Sequence, residues 1–241
     1  MVWMVAIVAG VVVLALTAPF PFLLDYVGPG RSVWHMPASS GAPKIYLTFD
    51  DGPNPTATPA LLDVLGRENV SATFFLIPKH ITDETASIVR RISDDGHAIG
   101  LHSHTRALMV KTSRALADLF AMQAADIARI SGADPCPLFR PHAGWRSWAM
   151  YGAVDRRDYT LTGWSFGMWD WNWWRPSKPE GLVNRLTAKA SDGDIIVMHD
   201  GDHVNPRADR RATVEATAKL IPRLRARGFE FGRLCRPFGN P

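Results

Sequence analysis

The 241-residue sequence has few cysteines, no internal repeat and no block of like charges. Only Cys136 and Cys235 occur, and two half-cystines in a chain of this size do not make a disulfide framework. Whether these two cysteines pair is left open by the sequence. The net charge of +4 is spread along the chain, so the arginine-rich stretches are predicted to be solvated surface. Nucleic-acid binding is therefore not expected.

Charge is also missing from residues 1–24, which are almost entirely apolar. About 20 apolar residues are long enough to span a bilayer. No clear basic leading region or cleavage site accompanies this run, which favours an uncleaved transmembrane anchor over a cleaved signal segment. We therefore expect a single-pass cell-membrane protein with an extracytoplasmic domain, or a secreted protein if the segment is cleaved. Residues 25–42 are predicted to be a stalk or linker.

Residues 43–241 are predicted to be one domain in which strands and helices alternate. Apolar runs such as KIYLTF and DIIVMHD favour strands, whereas SRALADLFAMQAADIARISG has helical periodicity. This alternation is typical of parallel βα units, so the predicted fold class is α/β. About seven such units favour a barrel, complete or incomplete, over an open sheet.

Polar side chains recur where the predicted strands end. They are Asp50 and Asp51, His102 and His104, Arg140, Asp170, and His199 and Asp200. In a βα barrel the carboxyl ends of the strands meet at one face, where catalytic groups lie. Carboxylates and histidines recurring at this face predict an Asp/His metal site with additional acid–base groups.

Two adjacent carboxylates, Asp50 and Asp51, end the first strand of the domain in the stretch YLTFDDGPNP. Like charges raise each other's cost, so two neighbouring carboxylates need either solvent or a cation. A bound metal would neutralise one carboxylate and lower the pKa of a water, whose proton the other carboxylate would accept.

With these motifs in this order, the sequence resembles the polysaccharide deacetylase (NodB-homology) family, carbohydrate esterase family 4. The resemblance is carried by TFDDGP (48–53), GHAIGLHSH (96–104), RPHAGW (140–145), DW (170–171) and IVMHD (196–200). It extends over residues 43–235 and implies a distorted (β/α)7 barrel of the NodB-homology type. It also implies a hydrolase that removes acetyl groups from carbohydrate with one divalent metal, usually zinc, with cobalt or nickel as alternatives.

The resemblance also implies roles for individual residues. Asp50 corresponds to the catalytic base, Asp51 to a metal ligand, and His199 to the acid that protonates the leaving amine. The other correspondences are Arg140, which holds the base; Asp170, which supports the network; the main-chain N–H of Ala143 as an oxyanion donor; Ile196 and Trp171 as walls of the acetyl pocket; and Trp145 as a substrate contact.

The second motif departs from the family pattern, which is His, Ser or Thr, two free positions and a second His. Here Arg106 occupies the place of the second histidine, and arginine stays protonated and cannot ligate zinc. Three alternatives remain open. His104 completes the ligand set, or Asp51 and His102 hold the metal weakly with water, or Arg106 takes the metal's place.

The expected substrate is an N-acetylated amino sugar in a cell-envelope glycan, a chitin-like oligosaccharide or a lipid-linked saccharide. A monomer is expected, in contact with the membrane only through its N-terminal segment. The competing function is a glycan-binding protein without catalysis, with Arg106 in place of the metal. The tract GWSFGMWDWNWWRP (163–176) contains five tryptophans, which are predicted either to join the core or to line a sugar-binding groove.

Overall fold

The computed structural model describes residues 2–17, 32–167, 170 and 178–235. Helix α1 covers Val2–Thr17. None of the helices within these ranges combines the length and the apolar character needed to cross a membrane. The transmembrane helix expected over residues 1–24 is therefore not supported, and residues 18–24 lie outside the described residues.

A single sheet of nine parallel strands organises the described part of the domain. The strands are β1 (Ser32–Val33), β2 (Lys44–Asp50), β3 (Thr73–Leu76), β4 (Ala98–His102), β5 (Leu138–Arg140), β6 (Thr160–Thr162), β7 (Phe166–Gly167), β8 (Ile195–His199) and β9 (Glu230–Gly232). Their order is β1-β6-β5-β4-β3-β2-β8-β7, with β9 also paired to β2.

Helices connect the strands and cover one face of the sheet. They are α2 (Ala57–Arg67), α3 (Ala86–Asp94), α4 (Ser113–Ser131), α5 (Trp148–Arg156), α6 (Pro179–Lys189) and α7 (Arg211–Ala226). Helix α4 has clear start and stop signals: the Thr112 hydroxyl accepts a hydrogen bond from the Ala115 N–H at 3.3 Å, and Gly132 ends the helix with φ 76°.

The core has two parts because the side chains of each strand alternate between the two faces of the sheet. Leu47 and Phe49 belong to the larger cluster, which includes buried residues of the helices. Phe75, Leu138 and Ile195 belong to a smaller cluster inside the curl of the sheet. The result is a curled parallel half-barrel, which confirms the α/β prediction and is consistent with the expected (β/α) barrel of the NodB type.

The segment before residue 43 contributes to the fold. Ser32 and Val33 pair with Leu161 and Thr162 of β6. Trp34 is buried, and its ring lies 5.8 Å from that of Trp164. The described part of the expected linker, residues 32–42, therefore includes an edge strand and a core residue of the domain.

The two cysteines form a disulfide, Cys136–Cys235. Cys136 is buried directly before β5, and Cys235 follows β9. The bond closes a loop of 99 residues. It fastens the end of the described chain to the middle of the sheet and settles the pairing that the sequence left open.

Replacing both cysteines, Cys136→Ser with Cys235→Ser, is expected to lower the free energy of unfolding by about 2–5 kcal/mol, because the unfolded chain loses its long covalent loop. Urea unfolding with and without reductant measures the change. Reductant should shift the wild-type midpoint toward that of the variant and leave the variant unchanged. Equal midpoints for the two proteins under oxidising conditions would contradict a stabilising bond.

Candidate functional site

Four of the predicted site residues are the last residues of their strands. They are Asp50 of β2, His102 of β4, Arg140 of β5 and His199 of β8. Parallel strands end at a common edge, so the fold brings these side chains to one side of the sheet. The sequence prediction that polar residues at the strand ends converge is reproduced in the structure.

The carboxylate of Asp50 is held by Arg140. Arg140 Nη1 donates to Asp50 Oδ1 at 2.6 Å and to Thr48 Oγ1 at 2.7 Å, while Nη2 donates to the Gly163 carbonyl oxygen at 2.8 Å. The guanidinium is fully buried and lies 3.9 Å from the centre of the Phe75 ring. These contacts fix one Asp50 oxygen and keep the carboxylate compensated inside the sheet.

His199 is paired with Asp170. The Nδ1 atom of His199 lies 2.9 Å from Asp170 Oδ1, and the main-chain N–H of His199 donates to Oδ2 at 2.7 Å. Thr213 also donates its hydroxyl to Oδ2, at 2.8 Å. Burial opposes the charge on His199, but the Asp170 carboxylate outweighs it and raises the pKa of His199 to about 9.

The turn that carries the paired carboxylates lies against the loop after β8. Asp51 has a left-handed conformation with φ 70°, which Asp adopts more readily than most residues. A Cβ on Gly201 would lie 2.0 Å from the Asp51 carbonyl oxygen, and a Cβ on Gly52 would lie 2.4 Å from Asp200 Oδ2. Thr58 donates to that same Asp200 oxygen at 2.5 Å. The glycines after both acidic motifs therefore permit this close approach.

Asp51 and His102 face each other. The Nδ1 atom of His102 lies 2.7 Å from the Arg140 carbonyl oxygen, which can only accept, so Nδ1 carries the hydrogen. Nε2 then has its lone pair available and lies 3.3 Å from Asp51 Oδ1. Burial opposes ionisation of Asp51, but His102, with help from His199 and His142, holds the pKa of Asp51 below its ordinary value.

The third member of this group is His142. Potential ligand atoms of Asp51, His102 and His142 all lie within 4.8 Å of one another. The main-chain N–H of His142 donates to Ser103 Oγ at 2.8 Å, which ties the loop after β5 to the loop after β4. Burial, reinforced by the charges of His102 and His203, lowers the pKa of His142 to about 4, so its imidazole is neutral at pH 7.

His104, which was predicted to complete the ligand set, does not belong to this group in the structure. Strand β4 ends at His102, so His104 lies in the following loop, where the alternation of a strand no longer sets the direction of its side chain. The charges acting on His104 include those of Lys79 and His80. His142, to which sequence analysis assigned no role, stands in the group instead.

Arg106 does not take the place of a metal. Its guanidinium lies over the Trp145 ring, 5.5 Å from the ring centre, and it forms no ion pair with a carboxylate among the described residues. The Oδ1 atom of Asp51 lies 3.3 Å from His102 Nε2 and accepts no hydrogen bond. The alternative in which Arg106 neutralises Asp51 is therefore not favoured by the geometry.

The structure describes three of the four predicted substrate contacts, and they differ in burial and position. Ala143 is exposed at the edge of the site with φ 50° and ψ 22°, and Trp145 is partly buried beneath Arg106. Ile196 is fully buried in the cluster between sheet and helices. Side chains alternate along β8, so Val197 shares a face with His199, and Ile196 does not. Trp171, with most of the tryptophan-rich tract, lies outside the described residues.

The residues present fit a divalent metal. Asp51 Oδ1 is buried without a hydrogen-bond partner, which is a costly state for a carboxylate oxygen unless a cation compensates it. One carboxylate and two imidazoles are a ligand set that catalytic zinc uses, with the remaining position open. The hydrogen bond from His102 to a main-chain carbonyl is the outer support typical of metal-bound histidines.

A cavity of about 600 Å³ lies elsewhere on the protein, between the start of α2 and the start of α7. Its charged lining includes Arg207, Arg210 and Arg211. Each of these arginines forms an ion pair with a carboxylate, and none of the predicted site residues lines the cavity. We therefore place the functional site at the strand ends and not in this cavity.

Comparison with known proteins identifies the family. Residues 38–162 match the family model described as polysaccharide deacetylase. A peptidoglycan-N-acetylglucosamine deacetylase of Bacillus cereus is 31% identical over 202 residues, which is 84% of this chain and 90% of the relative. A chitooligosaccharide deacetylase of Sinorhizobium fredii is 32% identical over 203 residues, covering 80% of this chain and 90% of the relative.

A solved structure has the same fold. The crystal structure of the Bc1960 peptidoglycan N-acetylglucosamine deacetylase superposes with a TM-score of 0.74 and 27% identity, covering 87% of this chain and 94% of that protein. Both the family model and the Bacillus cereus relative span the motifs from TFDDGP to RPHAGW that were recognised in the sequence. The chain belongs to the polysaccharide deacetylase family.

Proposed function

We propose that the protein is a metal-dependent hydrolase that removes the acetyl group from an N-acetylated amino sugar of a cell-envelope or chitin-like glycan. The observation that carries this proposal is the meeting, at one edge of the sheet, of the Asp50–Arg140 pair, the His199–Asp170 pair and the group Asp51, His102 and His142. The relatives support it, because their names refer to peptidoglycan N-acetylglucosamine and to chitooligosaccharides.

Asp51, His102 and His142 would hold the metal, which we propose to be zinc, with cobalt or nickel as alternatives. When bound, such a metal acts as a Lewis acid toward the acetyl carbonyl and makes water a stronger nucleophile at neutral pH. The two histidines come from different strand ends, so the fold and not a local helix sets their separation.

Asp50 is the proposed general base. Its Oδ1 atom is occupied by Arg140, while Oδ2 lies 4.0 Å from His102 Nε2, on the side of the ligand group. Oδ2 is therefore the oxygen available to accept a proton from the attacking water. Arg140 keeps this carboxylate oriented.

His199 is the proposed general acid. Its Nδ1 atom is committed to Asp170, so Nε2 is the atom that delivers a proton to the leaving amine. Asp170 stabilises the protonated ring through its contact with Nδ1 and also accepts the hydrogen bond of the His199 main-chain N–H. Ala143 remains our candidate for a main-chain oxyanion donor, and Val197 replaces Ile196 as the candidate for the wall of the acetyl pocket.

The disulfide supports an extracytoplasmic location. Disulfides persist in oxidising compartments and are rare in reducing ones. Cys136–Cys235 therefore favours export of the domain. The extracytoplasmic location predicted from residues 1–24 remains our proposal.

Metal binding should require His142 and not His104. We expect about one zinc per chain for the full-length protein, and a loss of affinity of more than about tenfold in His142→Ala, since a ligand is removed. The matched variant His104→Ala should bind as the wild type does. Isothermal titration with zinc, after removal of metal by a chelator, measures both. The reverse order of effects would restore His104 as the ligand.

Hydrolysis should depend on Asp50. We expect Asp50→Asn to lower kcat by about 10²–10⁴-fold, because the amide cannot accept the proton of the attacking water. Release of acetate from an N-acetylglucosamine oligomer measures the rate, and circular dichroism checks that the variant folds. A folded wild type that binds the oligomer without releasing acetate would favour the glycan-binding alternative.

Activity should fall at high pH with the deprotonation of His199. Because Asp170 raises the pKa of His199, Asp170→Asn should lower that pKa and move the basic limb of the pH–kcat/KM profile to lower pH. The control Asp155→Asn removes an exposed carboxylate of α5 and should leave the limb in place. An unshifted limb in Asp170→Asn would mean that another group is the acid.

A further inference from the structure

Two cations stand near the ligand group without a carboxylate partner among the described residues. Lys79 lies in the short 3-10 helix Pro78–His80 after β3, and Arg106 begins the 3-10 helix Arg106–Val110 after β4. Both side chains are exposed. The family pattern has a histidine at position 106, and the arginine found there has no role in the proposed reaction.

Arg106 is held in place by an aromatic ring. Its guanidinium lies over Trp145, 5.5 Å from the ring centre, and Trp145 follows His142 by three residues. A guanidinium stacked on a ring keeps its N–H edge available for an oxyanion.

Lys79 is fixed next to the same group from another loop. Its Nζ atom donates to the His203 carbonyl oxygen at 2.9 Å. The His203 ring is 4.6 Å from the His142 ring, centre to centre. The ammonium keeps further hydrogen atoms to donate, since lysine has three.

Four carboxylates around this region have cationic partners of their own. Asp50 pairs with Arg140, and Asp170 pairs with His199. The surrounding loop carboxylates pair likewise, Asp202 with Arg210 and Glu84 with Arg207. Arg106 and Lys79 form no ion pair among the described residues, so both side chains can bind an anionic group from outside the chain.

We propose that Arg106 and Lys79 form a subsite for an anionic group, a carboxylate or a phosphate, carried by the glycan that is deacetylated. This inference rests on the proposed function and narrows its substrate class. A neutral chitin-like chain offers hydroxyl and amide oxygens but no opposite charge, whereas an acidic glycan offers hydrogen bonds to both cations from an ionised acceptor, which are stronger. The exposed part of Trp145 supplies an apolar surface for the sugar that carries the anion.

Two kinds of glycan carry an anionic group of this type. A carboxylate is present on an acid-bearing sugar or on a peptide attached to it, and a phosphate is present in a saccharide joined to lipid through diphosphate. Both are oxyanions that a stacked guanidinium binds in the same way. The source is therefore decided by comparing substrates.

The experiment compares three substrates that contain the same N-acetylated sugar: a neutral N-acetylglucosamine oligomer, a peptidoglycan fragment with free carboxylates, and a water-soluble diphosphate-linked saccharide. In Arg106→Gln we expect KM for one or both anionic substrates to rise about tenfold, because the variant loses one charge-assisted hydrogen bond to the anion. KM for the neutral oligomer and kcat should stay within about twofold. Lys79→Gln should act in the same direction, and the exposed Arg90→Gln of α3 is the matched control.

Equal effects of Arg106→Gln on the neutral and anionic substrates, or none on any of them, would overturn the subsite. Calorimetric binding of the same three glycans to Asp50→Asn, with and without Arg106→Gln, tests it without turnover. If the wild type hydrolyses none of the glycans, the proposed hydrolase function fails. The binding data then test the subsite by themselves: selective weakening of the anionic glycans by Arg106→Gln supports it, and the absence of such weakening overturns it.

Discussion

A guanidinium in the interior of a protein needs a partner for its charge and its N–H groups, because an uncompensated buried ion costs several kcal/mol. Arg140 meets this demand with Asp50 and Thr48 of β2, the Gly163 carbonyl oxygen after β6, and the face of the Phe75 ring of β3. One side chain of β5 thus ties the ends of three other strands. The position of the Asp50 carboxylate follows from this arrangement.

The adjacent carboxylates differ because their surroundings differ. Asp50 turns to a permanently charged arginine, and Asp51, in a left-handed conformation, turns to a histidine. Two groups of one chemical type thereby acquire separate roles, as in other sites where the environment divides the work of paired acids. The sequence indicated that the pair needed either solvent or a cation, and in the structure Asp50 pairs with Arg140 while Asp51 faces His102.

Much of the site could be predicted because apolar runs show where strands end, and the carboxyl ends of parallel strands lie at the same edge of the sheet. Asp50, Arg140 and His199 were found in this way. His142 was not, because its separation from His102 depends on the path of a loop after β5 and on a hydrogen bond to Ser103, neither of which has periodicity. The error at Ile196 was one of strand register, where a shift of one residue changes the face.

In the fold, the parallel alternation was predictable from apolar runs, whereas the part played by residues 32–34 was not. A two-residue strand is too short for any pattern, and its formation depends on pairing with β6 and on the buried Trp34 ring, which packs directly against Gly163. The group Asp51, His102 and His142 draws its members from the ends of β2, β4 and β5. A metal ion bound there would cross-link these three strand ends. The thermal midpoint of unfolding would then depend on the metal concentration, and a free metal concentration of 100 Kd would stabilise the folded state by about 2.7 kcal/mol.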